Sequence, residues 1–410
     1  MADMALRTRC AIVGGGPAGM MLGFLLARAG IDTLVIEKHA DFLRDFRGDT
    51  IHPSTLEIVA ELGLLEDFLK RPHQKIERLG GQIGASHVTI ADFRHLPTRC
   101  KFIALMPQWD FLDFLSDHAR PYPNFRLLME TEGTSLIQEG DRIVGVKADG
   151  KDGPLDIRAD LVVAADGRRS ILRGEAGLPV KDLGAPMDVF WMQISKADDD
   201  PTDTFGHIEA GRLFVMIDRG DYWQCAFVIP KGKAEEIKAQ GIERFRAMVL
   251  ELSPWLGERV GELGSWEDVK LLSVAVDRLE RWSRPGLLCI GDAAHAMSPI
   301  GGVGINLAIQ DAVAAANLLA GPLARGAPSA DELHAVQQRR EWPTRMIQAI
   351  QVFVQKRIIS RVLGSQTRPS PPWPVRLLGA FPFLQRFPAR LVGMGIRPEH
   401  VRTPAVRPPG

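Results

Sequence analysis

The chain has 410 residues, 45% of them hydrophobic and 24% charged, values that suit a soluble globular protein of two or three domains with a large core. Fifty basic residues balance fifty acidic ones, so overall charge argues against a nucleic-acid partner and makes membrane contact unexpected. The four cysteines (Cys10, Cys100, Cys225, Cys289) lack metal or redox spacing and read as buried thiols, and no metal site is expected. No uninterrupted apolar run is long enough for a bilayer, and residues 1–9 lack a signal peptide's apolar segment, so the expected location is cytoplasmic.

In chain order, residues 9–14 (RCAIVG) read as a buried strand, 17–30 (PAGMMLGFLLARAG) as a helix apolar on all sides and ended by Gly30, and 33–38 (TLVIEK) as a second strand. The intervening glycines fit G-x-G-x-x-G. Gly14 makes the tight turn, Gly16 admits a pyrophosphate, and Gly19 lets helix and strand pack closely. Pro17 and Ala18 open the helix, whose N-terminus favours negative charge. Glu37, followed by Lys38, closes the second strand, where a carboxylate can accept hydrogen bonds from an adenosine ribose and would repel a 2′-phosphate. Gly14, Gly16, Pro17, Ala18, Gly19, Glu37 and Lys38 are therefore candidate dinucleotide contacts, a set that does not separate NAD from FAD.

Residues 76–99 are a short piece expected to join a later domain, and Gln108 precedes an amphipathic helix in MPQWDFLDFL. ADLVVAADGRRSILR (159–173) reads as a strand, the turn pair Asp166-Gly167, and a short helix carrying Ser170 and Arg173. From about 187 to 230 the pattern becomes strands and hairpins. In the last of these, Trp223, Cys225, Phe227 and Ile229 share one face while Tyr222, Gln224, Ala226 and Val228 share the other, as in an antiparallel sheet with one face covered. Whether the aromatic face is core or ligand wall is open at this level. GLLCIG (286–291) is a further strand, ending in Asp292, and the run from 291 to 306 leads into an alanine-rich helix. A helical stretch (330–364) precedes a proline-dense tail that can form only short amphipathic turns, expected to pack over its own chain, with a lipid surface or a subunit contact as the alternatives.

Three of these stretches, GGGPAG (14–19), DGRRSILR (166–173) and GDAAHAMSPIGGVGIN (291–306), resemble in sequence and order the fingerprints of the FAD-dependent monooxygenases and aromatic hydroxylases of the para-hydroxybenzoate hydroxylase type. The resemblance implies an α/β fold with a discontinuous Rossmann-like FAD-binding domain (1–75, 100–178, 268–325), an antiparallel-sheet substrate domain (76–99, 179–267), and a C-terminal helical and proline-rich region (326–410). It implies that Asp292 hydrogen-bonds the ribityl chain, that Arg47 lies near the FAD phosphates with Arg44 as the alternative register, and that Gln108 contacts the ribityl chain. Asp166 would support the pyrophosphate and contribute to NAD(P)H use. Pro299 would fix the loop beside the ring, and amides of Gly304, Ile305 and Asn306 would stabilise negative charge on the reduced flavin. His295, though capable of acid–base work, reads as structural in this motif.

The implied activity uses NAD(P)H and O₂ to hydroxylate a phenolic or other activated aromatic compound, polycyclic compounds and quinone precursors included, through a flavin C4a-hydroperoxide. The hard chemistry is then the cofactor's, so no catalytic side chain is nominated. No second glycine fingerprint follows, so NAD(P)H is expected to bind transiently; a monomer or homodimer is expected. Three alternatives share parts of the pattern. A flavin-dependent halogenase would carry W-x-W-x-I-P where this chain has CAFVIP, with Cys225 and Phe227 at the tryptophan positions. A geranylgeranyl-reductase-like enzyme fits the fold, and a non-catalytic flavin-binding regulator fits the cradle alone.

Overall fold

A computed structural model describes residues 6–43, 50–201 and 205–406. Arg44 and Arg47 lie outside the described residues. The main sheet is built on the strand Leu6–Val13, which pairs in parallel with Thr33–Ile36 on one side and with Gly153–Ala164 on the other. Phe125–Leu128 extends it past Thr33–Ile36, and Leu287–Cys289 extends it past Gly153–Ala164, both in parallel. Such central strands are buried on both faces, which is why they read as unbroken apolar runs. The first half of Gly153–Ala164 also pairs antiparallel with Arg142–Gly150.

The helix Pro17–Arg28 has every residue from Ala18 to Ala27 buried because it packs against both Gln108–Ala119 and Gly304–Arg325. It ends two residues before Gly30, whose φ of 83° turns the chain. Gly304–Arg325 belongs to the one described segment, 300–325, long and apolar enough to cross a bilayer, but 83% of its apolar window is buried inside the fold. Burial of the Cys10, Cys225 and Cys289 thiols pushes each pKa up.

The second sheet has seven strands in the order Lys270–Leu272, Met187–Ser195, Tyr222–Pro230, Arg212–Asp218, Phe205–Glu209, Arg78–Ile83, Ser86–Asp92. All neighbours are antiparallel except Phe205–Glu209 with Arg78–Ile83. Its outer face carries Phe190, Phe214, Trp223, Cys225 and Phe227, packed against the helix Ile242–Leu252 through Phe245 and Val249. The aromatic face of Tyr222–Pro230 is therefore core. The other face, with Val189, Trp191, Leu213, Val215, Ala226 and Val228, packs toward Ile300 and Val354.

The C-terminal region opens with Ser329, whose capping box with Glu332 starts the helix Ala330–Val354. Short helices Trp373–Ala380 and Arg386–Gly393 follow, separated by a 3₁₀ turn at Pro382–Gln385.

Candidate cofactor site

The parallel strands Leu6–Val13, Gly153–Ala164 and Leu287–Cys289 all deliver their carboxyl ends to one edge, and the first two lie on opposite sides of the point where chain order reverses. Open α/β sheets bind ligands in that crevice. Gly14 has φ 109°, and a Cβ there would stand 2.3 Å from Ala165 O. A Cβ on Gly19 would stand 1.9 Å from Gly14 O, so strand and helix meet backbone to backbone. Gly16 differs: a Cβ there meets no atom within 4 Å, leaving open space at the helix N-terminus. Met20 N–H makes the first helical bond, to Gly16 O at 2.9 Å, so the amides of Ala18 and Gly19 stand ahead of it.

Glu37 follows the second strand and is buried. Its Oε2 accepts from Gly15 N–H at 2.9 Å, and its Oε1 lies 2.6 Å from His39 Nδ1. The carboxylate thereby clamps the glycine loop to the strand end. Lys38 points outward, more than half exposed, with Glu132 3.5 Å away.

The strand ends just ahead of the first two fingerprints are joined, since Ala165 N–H donates to Val13 O at 2.8 Å. Asp166 accepts from Ile171 N–H at 3.0 Å, and burial pushes its pKa up. Arg168 and Arg173 reach from this segment to the third fingerprint. Arg168 Nε donates to Asp292 Oδ2 at 2.9 Å, and Arg173 donates to Ala293 O at 3.3 Å and to Asp277. Gly291 closes the triangle, since a Cβ there would lie 3.1 Å from the Ala18 side chain and 3.3 Å from that of Ala308. Three stretches far apart in sequence thus meet at one place.

Pro299 caps a 3₁₀ turn, Ile300–Gly302, ahead of the helix Gly304–Arg325. Leu307 N–H donates to Val303 O at 3.0 Å, so the amides of Gly304, Ile305 and Asn306 precede the first helical bond. The Asn306 side chain is committed elsewhere. Its Oδ1 accepts from His52 N–H and Thr55 Oγ1, and its Nδ2 donates to Thr50 O and Gly302 O. Gln108, half-buried, opens the helix Gln108–Ala119 three residues past Leu105, the partner of Thr50.

Beneath the loop lies a buried network that sequence reasoning missed. Asp311 accepts from Gly291 N–H at 3.1 Å and from Arg340 Nε at 3.0 Å, and its Oδ2 lies 2.5 Å from His295 Nε2. Arg340, with no exposed surface, also reaches Glu399 at 3.3 Å. Burial alone would raise the Asp311 pKa, but attraction and hydrogen bonds from His295 and Arg340 hold it below the ordinary value. A lone aspartate in an apolar helix signals a buried partner; the identity of that partner lay outside local pattern. His295, buried and bound to Asp311, braces the loop.

Facing the loop, the inner side of the second sheet is apolar along Val189, Trp191, Ala226 and Val228 and polar at the paired Gln193 and Gln224. Gln224, opposite Gln193 in register, is buried and accepts from Arg219 Nε at 2.9 Å. Cys225 and Phe227 point away into the outer core. The open space at Gly16, the amides at two helix N-termini and the carboxylates of Glu37 and Asp292 together fit a flavin dinucleotide.

The comparisons agree. A family model described as an FAD binding domain matches residues 7–349. The 6-methylpretetramide 4-monooxygenase of Streptomyces rimosus is 34% identical over 360 residues, covering 86% of this chain and 85% of that protein. The p-nitrophenol 4-monooxygenase PnpA of Pseudomonas putida DLL-E4 superposes with a TM-score of 0.77 at 19% identity, over 96% of this chain and all of that one (100%). The myxobacterial chondrochloren halogenase CndH superposes with a TM-score of 0.74 at 18% identity, over 93% and 90%. The last two show the fold alone, which two activities share. Family match, relative and cradle together place this chain in the family of FAD-dependent aromatic monooxygenases of the para-hydroxybenzoate hydroxylase type.

Proposed function

We propose that the chain hydroxylates a phenolic or polycyclic aromatic compound, with NAD(P)H as reductant and O₂ as the source of the added oxygen. The observation that carries this reading is the inner sheet face, where Trp191, Leu213, Val215, Ala226 and Val228 form an apolar wall that Ile359 and Leu363 partly cover and that extends toward Ile300, with the Arg219–Gln224 pair at one end. An apolar wall with few polar groups suits a flat, oxygen-bearing ring system. The 34% identical relative, named for its action on 6-methylpretetramide, supports the substrate class.

Bound FAD, once reduced, supplies the oxygen-activating chemistry. The chain's residues do the rest. Amides of Ala18 and Gly19 hold phosphate charge at a helix N-terminus. Asp292, oriented by Arg168, holds a hydroxyl of the cofactor chain. Amides of Gly304, Ile305 and Asn306 stabilise negative charge brought against them, and their orientation needs no rearrangement because Asn306 and Asp311 fix the loop. The apolar wall orients substrate and excludes water.

The test uses FAD-loaded protein with NADH or NADPH and a panel of phenols, quinone precursors and polycyclic aromatics. A true substrate should accelerate NAD(P)H oxidation and gain one ¹⁸O atom from labelled O₂, with little peroxide released. Halogenated product in the presence of halide, or a reduced alkene without oxygen incorporation, would sink the proposal.

A further inference from the structure

Fifty acids and fifty bases conceal a segregation. Residues 342–398 contain nine Lys and Arg and no Asp or Glu. The same segment holds all six of the large exposed Phe and Trp side chains among the described residues, led by Trp373 at 75% exposure.

The helices Trp373–Ala380 and Arg386–Gly393 and the turn Pro382–Gln385 all pack inward on one strand, Ser86–Asp92. Gln385, Ala389 and Gly393 are buried on that side, and a Cβ on Gly393 would lie 2.9 Å from Leu96. The opposite side presents Trp373, Phe381, Phe383 and Phe387, with Arg386 over the Phe387 ring at 5.1 Å. Arg376, Arg386 and Arg390 are exposed and form no ion pair among the described residues. A groove of about 390 Å³ beside them is lined by Phe387, Arg390, Leu391, Met394, Ile396 and Arg397. An exposed aromatic patch of this extent marks an interaction surface.

We propose that this face docks the enzyme on an anionic lipid surface. Aromatic side chains interleaved with arginines that have no acidic partner among the described residues, on short helices packed against a folded domain, match the chemistry of the interface between lipid headgroups and acyl chains. Anionic headgroups supply the complementary negative charge. A second copy of the chain is a poor occupant, because two acid-free basic faces repel each other. A balanced total charge is silent on where the charges lie, so the proposal departs from the expectation drawn from composition. It is independent of the reaction assigned above.

The test is flotation of the FAD-loaded full chain with vesicles of phosphatidylcholine alone, or mixed with an equal part of phosphatidylglycerol. Binding is expected to the mixed vesicles only and to reverse as salt is raised. Arg376→Glu, Arg386→Glu and Arg390→Glu together should weaken partition roughly a hundredfold. Trp373→Ser with Phe387→Ser should weaken it roughly tenfold through lost apolar insertion. FAD content and far-ultraviolet circular dichroism, unchanged in both variants, show that the fold is retained. Equal binding to both vesicle types, no binding to either, binding to polyglutamate as tight as to mixed vesicles, or a dimer that both variants dissociate would each overturn the proposal.

Discussion

Gly16→Ala separates a cofactor cradle from a structural turn. Gly16 sits at the N-cap of Pro17–Arg28 with φ −73° and ψ −176°, extended backbone that alanine adopts without strain. Its added methyl would meet no protein atom within 4 Å. Alanine is a weaker N-cap than glycine, but it also reduces the entropy of the unfolded chain; these effects are each about 1 kcal/mol or less and opposed. The apoprotein should therefore unfold in urea within about 1 kcal/mol of wild type. FAD binding should suffer, because the methyl fills space the pyrophosphate would take. Overpacking of about 1–3 kcal/mol corresponds to a Kd raised roughly 5- to 150-fold. Gly19→Ala is the contrast: its methyl would stand 1.9 Å from Gly14 O and should destabilise the apoprotein itself. Urea unfolding of apoprotein and titration of FAD by fluorescence quenching read the two effects separately. An unchanged Kd in Gly16→Ala would refute the assignment of that space to the cofactor.

Asp292→Ala should weaken FAD binding by about 1.5–3 kcal/mol, the value of a charge-assisted hydrogen bond; an unchanged Kd in a folded variant removes the residue from the site. Asp311→Asn leaves Arg340 buried with one carboxylate fewer and should cost about 3–5 kcal/mol in urea unfolding, much of it restored when Arg340→Met is combined with Asp311→Leu. A loss within about 0.5 kcal/mol would mean that the network is not braced as described. Burial pushes the His52 pKa down from 6.5 to about 4, partly offset by its hydrogen bond to Val392 O. The unfolded chain then takes up a proton that the folded one refuses, so stability should fall by about 3 kcal/mol as pH drops from about 6.5 to about 4 and level off below. His52→Leu should flatten that slope, and a slope that survives the substitution would assign it to another group.

Much of this protein was legible locally. Gly14 and Gly19, the turn at Asp166 and the run from Gly291 to Asn306 stand out in the sequence because close backbone approaches and positive φ angles admit few residue types, and phosphate and flavin binding would ask for them at these spacings. The hairpins of residues 187–230 were legible because side chains alternate across a strand. Alternation names two faces without saying what covers each. Only packing against Ile242–Leu252 made Trp223, Cys225 and Phe227 core and turned Ala226 and Val228 toward Ile300. In the same way, an aspartate in an apolar helix announces a need for partners, but Arg340 and His295 meet Asp311 only after helices and loops have closed on one another. Arg168 reaches Asp292 across 124 positions of sequence. Local constraints are carried by spacing and residue type, whereas contacts between distant segments depend on how whole elements pack, and that information resides in the sum of the core rather than in any one stretch.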